Sequence, residues 1–143
     1  MEKRKRFETS RFITSSLDIW RIDNLLDDAQ GETYQDGQDL LRKSRKGKMV
    51  GPKEIPPNVV TMNCILEVTI SRPEKTQTEI KLVYPSAADE ADNHVSVFSK
   101  LGRTLIGMTE GQSEQYQDQP GKTVTVKVEK IVYQPEKAGH FQI

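Results

Sequence analysis

Hydrophobic positions follow two different rhythms along this chain. From Ser16, in the stretch SLDIWRIDNLLDDAQ, residues Leu17, Trp20, Ile22, Leu25, Leu26 and Ala29 recur at roughly helical spacing. Ser15 or Ser16 is suited to cap the helix N-terminus, and Asp18 suits a first turn, where the helix dipole favours a carboxylate. The pattern predicts a helix from about Ser16 to Ala29. QGET then breaks the period, and a second, weaker helix is expected from about Tyr34 to Lys46. That segment carries Leu40 and Leu41 and ends in RKSRKGK, where cations complement a helix C-terminus. Gly37 lowers its intrinsic propensity. The expectation is a short antiparallel hairpin of two helices, closed by Pro52, Pro56 and Pro57, which lack an amide donor and restrain the residue before them.

Beyond the prolines the period drops to two. Cys64, Leu66, Val68 and Ile70 alternate with mostly polar neighbours, and so do Ile80, Leu82 and Tyr84, then Val95 and Val97, then Val124, Val126 and Val128. Half-buried antiparallel strands are predicted. After Val128 the apolar positions move to Ile131, Val132 and Tyr133, so the buried face jumps unless an extra residue bulges near Glu129. Between strands, SKLGRTLIG predicts one short helix, with Ser99 as cap, Leu101, Leu105 and Ile106 on the buried side, and Gly107 as a left-handed stop. Gln119 to Gly121, QPG, signals a turn into the final strand. The fold class is therefore α+β: a helical hairpin over 16–51, preceded by a basic extension over 1–15 and followed by a twisted sheet domain with one short helix over 52–143.

A chain of 143 residues has room for one main core. Its 21 basic and 21 acidic side chains cancel, so no global field draws it onto a nucleic-acid backbone, and any polyanion binding must be local. One cysteine, Cys64, forms no internal disulfide, and with only His94 and His140 beside it no structural-zinc set is reached. A reducing cytoplasm is the expected compartment, since no apolar run approaches the roughly 18 residues of a membrane span and MEKRKRFETSRF lacks the apolar middle of an export signal.

Chemistry-bearing motifs are scarce. The common phosphate-loop, dinucleotide, nucleophile-elbow and zinc-protease patterns do not occur. His94, in ADEADNHVSV, has the acids Asp89, Glu90 and Asp92 nearby but reads better as a solvated loop residue, and Cys64 reads better as part of the apolar face than as a nucleophile. Asp27, Asp28, Glu32 and Asp36 cluster at the turn between the helices, and acids at a helix C-terminus oppose its dipole. A solvated turn and a functional cluster both account for them. The basic runs Lys3 to Arg6 and Arg42 to Lys48 suit phosphate contacts, yet no interleaved aromatics offer base stacking; solubility and helix-end charge explain them equally.

The order of features (helical hairpin, proline break, VVTMN, LVYP, SKLGRTLIG, QPGKTVTVKVEKIVYQP, AGHF) resembles the Rnk family, regulators of nucleoside diphosphate kinase, whose C-terminal half is shared with the bacterial transcription factors GreA and GreB. The resemblance runs from about Ser16 to the C-terminus. It implies an FKBP-like C-terminal domain and a short coiled-coil arm, acting by docking on RNA polymerase near its secondary channel. In Gre factors two carboxylates at the arm's tip help hold the catalytic magnesium during cleavage of backtracked RNA, in keeping with the usual binding of magnesium by one or two carboxylates with phosphate oxygens and water.

Two departures bear on that machinery. A helix of ~14 residues rises about 20 Å, short beside Gre-type arms. The tip pattern of the Gre factors, Gly, Asp, two residues, Glu, Asn, aligns here with Gly31, Glu32, Gln35 and Asp36, replacing the second acid by an amide. The implied function is a non-enzymatic bacterial transcription regulator without a cofactor, metal or small-molecule substrate. It binds polymerase at the secondary channel and competes with Gre factors without stimulating cleavage.

The resemblance also implies the contact. FSKLGRTLIG matches the Gre-type contacting loop and its GRALLG helix, with Phe98, Ser99 and Lys100 in the loop and Leu101 and Arg103 beside it. The family usually has proline where this chain has Lys100, and Gre factors have an acid where it has Phe98. Alternatives are an active cleavage factor relying on Glu32, a prolyl isomerase reusing the fold, and a direct nucleic-acid binder using Arg42 to Lys48.

Overall fold

The computed structural model describes residues 12–141, so the basic run Lys3 to Arg6 lies outside the described residues. The chain divides into two compact units between Ile55 and Pro56, within the proline-rich stretch.

The first unit is mostly helical. Strand β1 (Ile13–Ser15) runs directly into helix α1 (Ser16–Leu25), and the side chain of Ser15 accepts the Asp18 amide at 3.4 Å, so Ser15 is the cap. A 3-10 turn over Leu26–Asp28 follows, and helix α2 (Gly31–Lys46) then delivers the chain to β2 (Lys48–Val50), which pairs in parallel with β1. The sequence pattern predicted neither three-residue strand, and residues 13–15 belong to this unit rather than to a separate extension. Early α2 meets late α1 where Gly37 lies against Leu26, while Gly47 closes on the Phe12 backbone. Glycine is required at Gly47, where a Cβ would strike the Phe12 carbonyl; at Gly37 a Cβ would meet only the Leu26 side chain, which can shift.

Helix α2 begins three positions before the expected Tyr34, at Gly31, whose φ of +62° suits glycine and lets the chain turn directly into the helix. The buried stripe of α1 also differs from the expected one. Ile19, Ile22 and Leu26 point inward, whereas Trp20 is 62% exposed and Leu25 43% exposed. Ile19 and Trp20 are adjacent, about 100° apart on the helix, so only one of them joins a stripe shared with Ile22 and Leu26. Leu40 and Leu41 of α2 complete the buried set.

The second unit is a five-stranded sheet of order β5-β4-β3-β7-β6, made by β3 (Ile65–Ser71), β4 (Lys75–Val83), β5 (His94–Ser96), β6 (Ser113–Gln119) and β7 (Lys122–Tyr133). Alternation puts Leu66 and Val68, Ile80 and Leu82, and Val124, Val126 and Val128 on one buried face. Helix α3 (Lys100–Leu105) adds Leu105, and Val59, Val60, Met62, Ile106 and Met108 fill in from connecting segments. The pairings are antiparallel except β4 with β5, which run parallel. That departs from the all-antiparallel expectation. The link over 84–93, with 3-10 turns at Pro85–Ala87 and Glu90–Asp92, carries the chain back so that β5 starts beside Lys81, and Asn93 makes the final turn at φ +58°.

Strand β6 was not expected. Its sequence, SEQYQDQ, has no apolar alternation, because an edge strand with one neighbour buries little. The bulge foreseen near Glu129 is present: Glu67 faces Lys130 and Val68 faces Val128, leaving Glu129 as the extra residue. A second extra residue, Val132, lies between the partners of Leu66 and Ile65 and is itself exposed, while Val124, Val126 and Val128 stay on the core face. A last turn, α4 (Pro135–Ala138), is tied down by the buried Gln134, whose amide donates to the carbonyls of Pro56 at 2.8 Å and Val59 at 2.7 Å.

Candidate functional site

The segment from β5 into α3 is built as a rigid corner. The Val97 amide bonds to the Val83 carbonyl at 2.9 Å, fixing the corner to β4. The Phe98 amide donates to Ser96 Oγ at 3.0 Å, and Ser99 donates from both its amide, at 3.0 Å, and its hydroxyl, at 2.7 Å, to the Ser96 carbonyl. Ser99 Oγ then accepts the Gly102 amide at 3.0 Å, which makes it the helix cap expected from its position. The Arg103 guanidinium donates to the Phe98 carbonyl at 3.2 Å from within α3. Gly102 is needed for this fit, since a Cβ there would strike the Ser96 carbonyl oxygen.

Within the corner the five candidate residues separate by exposure. Ser99 and Lys100 are exposed, and Leu101 and Arg103 are half-buried. Phe98 is buried, at 7% exposure, so its ring anchors the loop from behind and does not present an aromatic surface. Lys100 reaches across to the edge strand, where its ammonium donates to the Asp118 carbonyl at 2.7 Å. An open cleft of about 530 Å³ adjoins the corner, lined by Arg72, Asp89, Glu90, His94, Ser99 and Leu101 among others.

The other candidates are placed as follows. Asp27 and Asp28 lie in the 3-10 turn after α1, Glu32 in the first turn of α2, where its charge suits the dipole, and Asp36 one turn further on. The first three are exposed and Asp36 is half-buried. Among the described residues no group of three or more His, Cys, Asp or Glu side chains stands close enough to hold a metal ion. Of the basic run, Arg42 pairs with Asp39 at 2.8 Å, Lys43 lies 4.4 Å from the Phe12 ring centroid, and Arg45, Lys46 and Lys48 are exposed. His94 exchanges backbone hydrogen bonds with Asp89, both at 2.9 Å, while the Asp89 carboxylate accepts the Ala91 amide instead of meeting the imidazole. Cys64 is fully buried, with its sulfur 3.2 Å from the Thr61 amide.

Sequence reasoning missed Trp20, which borders a groove of about 270 Å³ on the helical unit together with Ile19, Leu41, Arg45 and Met49. The competition between Ile19 and Trp20 for the inward stripe was the available signal.

Residues 45–133 match the family model described as "Transcription elongation factor, GreA/GreB, C-term". The chain is 29% identical over 130 residues to the regulator of nucleoside diphosphate kinase of Escherichia coli K12, covering 90% of this chain and 94% of that protein; the Shigella flexneri protein of the same name gives the same figures. Among solved structures, a prokaryotic transcription elongation factor GreA/GreB from Nitrosomonas europaea is similar, with a TM-score of 0.66 and 27% identity, covering 86% of this chain and 98% of that one.

Proposed function

The chain belongs to the GreA/GreB C-terminal family of transcription elongation factors, and on that premise we propose that it is a cytoplasmic regulator of transcription that binds RNA polymerase at the secondary channel. The sheet unit makes the contact through the corner of Ser99 and Lys100, with Leu101 and Arg103 at its margin and Phe98 as its buried anchor. The observation that carries this reading is the corner itself: a solvent-facing turn held by five side-chain hydrogen bonds and a packed glycine, inside the segment shared with the family. Such fixation costs conformational freedom that a mere connector does not need to give up.

The helical unit is the arm. Its longer helix has 16 residues and rises about 24 Å. In this reading it occupies the channel entrance and competes with longer-armed factors, and the acids Asp27, Asp28, Glu32 and Asp36 affect the local field without holding a catalytic metal. The protein is not itself a catalyst and meets nucleic acid only through the polymerase.

Co-purification with core polymerase tests the contact. Ser99→Asp keeps an acceptor for the Gly102 amide as a helix cap, gives up the hydroxyl's donation to the Ser96 carbonyl and places a charge on the exposed turn. The fold should survive and polymerase binding should fall at least about tenfold, a loss of about 1.4 kcal/mol. Undiminished binding would move the contact elsewhere. Stalled elongation complexes should keep their RNA length in the protein's presence; shortening that depends on Glu32 would establish the cleavage-factor reading instead.

A further inference from the structure

Lys100 ties together two segments that lie far apart in the chain. Its ammonium donates to the Asp118 carbonyl at 2.7 Å, spanning from the first residue of α3 to the far end of β6. Asp118 is the point where the β6–β7 ladder slips: Gln117 pairs with Thr123 and Gln119 with Lys122, so Asp118 has no partner on β7. The carbonyl that Lys100 takes therefore belongs to the least supported residue of an edge strand, next to the turn at Pro120 and Gly121. Gln117, Asp118 and Gln119 are all exposed.

We infer that the polymerase-facing surface of this protein is composite, formed by the Ser99 corner together with Gln117, Asp118 and Gln119, and that Lys100 is the positioning residue that holds the two pieces in one arrangement. The inference rests on the polymerase reading above. A lysine bound to a carbonyl at this distance has its charge directed at the protein's own backbone, and a charge-assisted hydrogen bond of this kind is among the stronger ones a surface offers. What the composite surface presents outward is then two amides, the Asp118 carboxylate, the Ser99 turn and the remaining N–H donors of the exposed Lys100 ammonium. That set suits a polymerase segment that offers both hydrogen-bond donors and acceptors. The lysine also covers part of an open strand edge, which discourages pairing with a second chain.

Two measurements on the full chain separate this from a direct contact by Lys100. Amide hydrogen exchange at 117–119 reports the clasp, and affinity for core polymerase reports the surface. Lys100→Met keeps the stem and removes the ammonium; it should speed exchange at 117–119 about tenfold and weaken polymerase binding by a similar factor. Lys100→Arg restores a donor of similar reach and should return both values toward wild type. Asp118→Ala retains the carbonyl, so it should leave exchange unchanged while weakening binding. The inference is overturned if Lys100→Met weakens binding without changing exchange at 117–119, or changes exchange without changing binding, or if Asp118→Ala binds normally. Failure of the wild-type chain to bind polymerase sinks the functional reading and the composite surface together, and the exchange data then judge the clasp alone.

Discussion

The two units spend their hydrophobic residues differently. Among the described residues, the large apolar side chains that remain exposed are Trp20, Leu25, Tyr34 and Met49 in the helical unit and only Val132 in the sheet unit. The sheet unit, with more chain, seals Leu66, Leu82, Leu105, Ile106 and Met108 almost completely. A two-helix unit has only one seam in which to bury apolar groups, whereas a sheet face covered by a helix and connecting segments encloses a volume. In the first unit, therefore, apolar residues are left over for a surface; in the second they are consumed by the core, and the surface is shaped by polar fixation.

Breaking that contrast gives graded outcomes. The largest effect is expected at Gly102→Ala, where the new methyl meets the Ser96 carbonyl, a backbone atom in a corner tied to β4; a loss of about 3–4 kcal/mol should appear in denaturant unfolding of the sheet unit. Leu66→Ala, in a fully buried site between β4 and β7, should cost about 3 kcal/mol. Gly37→Ala in the helical unit is the informative counterpart. There the obstacle is the Leu26 side chain, which has rotamers to move into, and alanine favours the helix by about 1 kcal/mol, so the net change should stay within about 1 kcal/mol of zero. Trp20→Gln should leave stability within about 0.5 kcal/mol while reducing the surface available to a partner; a larger loss would mean that the indole is part of the core after all.

The smallest effect concerns Glu129, the bulged residue. Its carboxylate accepts the Thr69 hydroxyl at 2.7 Å, and this bond, with the charge of Lys127 at 3.6 Å, holds its pKa below the usual glutamate value. A depressed carboxylate stabilises the fold above its ordinary titration range, and that contribution is lost as the pH falls through the folded-state value. The side chain is solvent-exposed, so the contribution is minor. NMR titration should nevertheless find the midpoint lowered in the native protein and raised toward normal in Thr69→Val.

How much of this was legible in the sequence follows the same division. The core strands β3, β4 and β7 announced themselves because one face is buried, so their alternation is obligatory, and the slip at Glu129 could be read from the jump of apolar positions after Val128. Strand β6 was invisible because an exposed edge imposes no pattern, and β1 and β2 because three residues cannot display one. The direction of β5 depends on how the link over 84–93 folds, which its polar composition does not encode.

At the candidate site, the Ser99 cap was readable, since it follows from local backbone demands; Gly107 does take a positive φ, but in the turn after the helix, which ends at the extended Ile106. That Phe98 turns inward was not readable, because a lone aromatic in a loop carries no period to say which way it faces. Nor was the bond from Lys100 to Asp118, which joins residues brought together only by the complete sheet.

The position of β7 in the sheet has a consequence for synthesis. It lies between β3 and β6, and both precede it along the chain. Until β7 leaves the ribosome, β3 has one open side and β6 has no neighbour, so the valines at 124, 126 and 128 arrive as the piece that closes a half-built layer. Nascent chains of this protein therefore pass through an interval of sticky, incomplete sheet, when holding chaperones matter most and a pause in translation is most damaging.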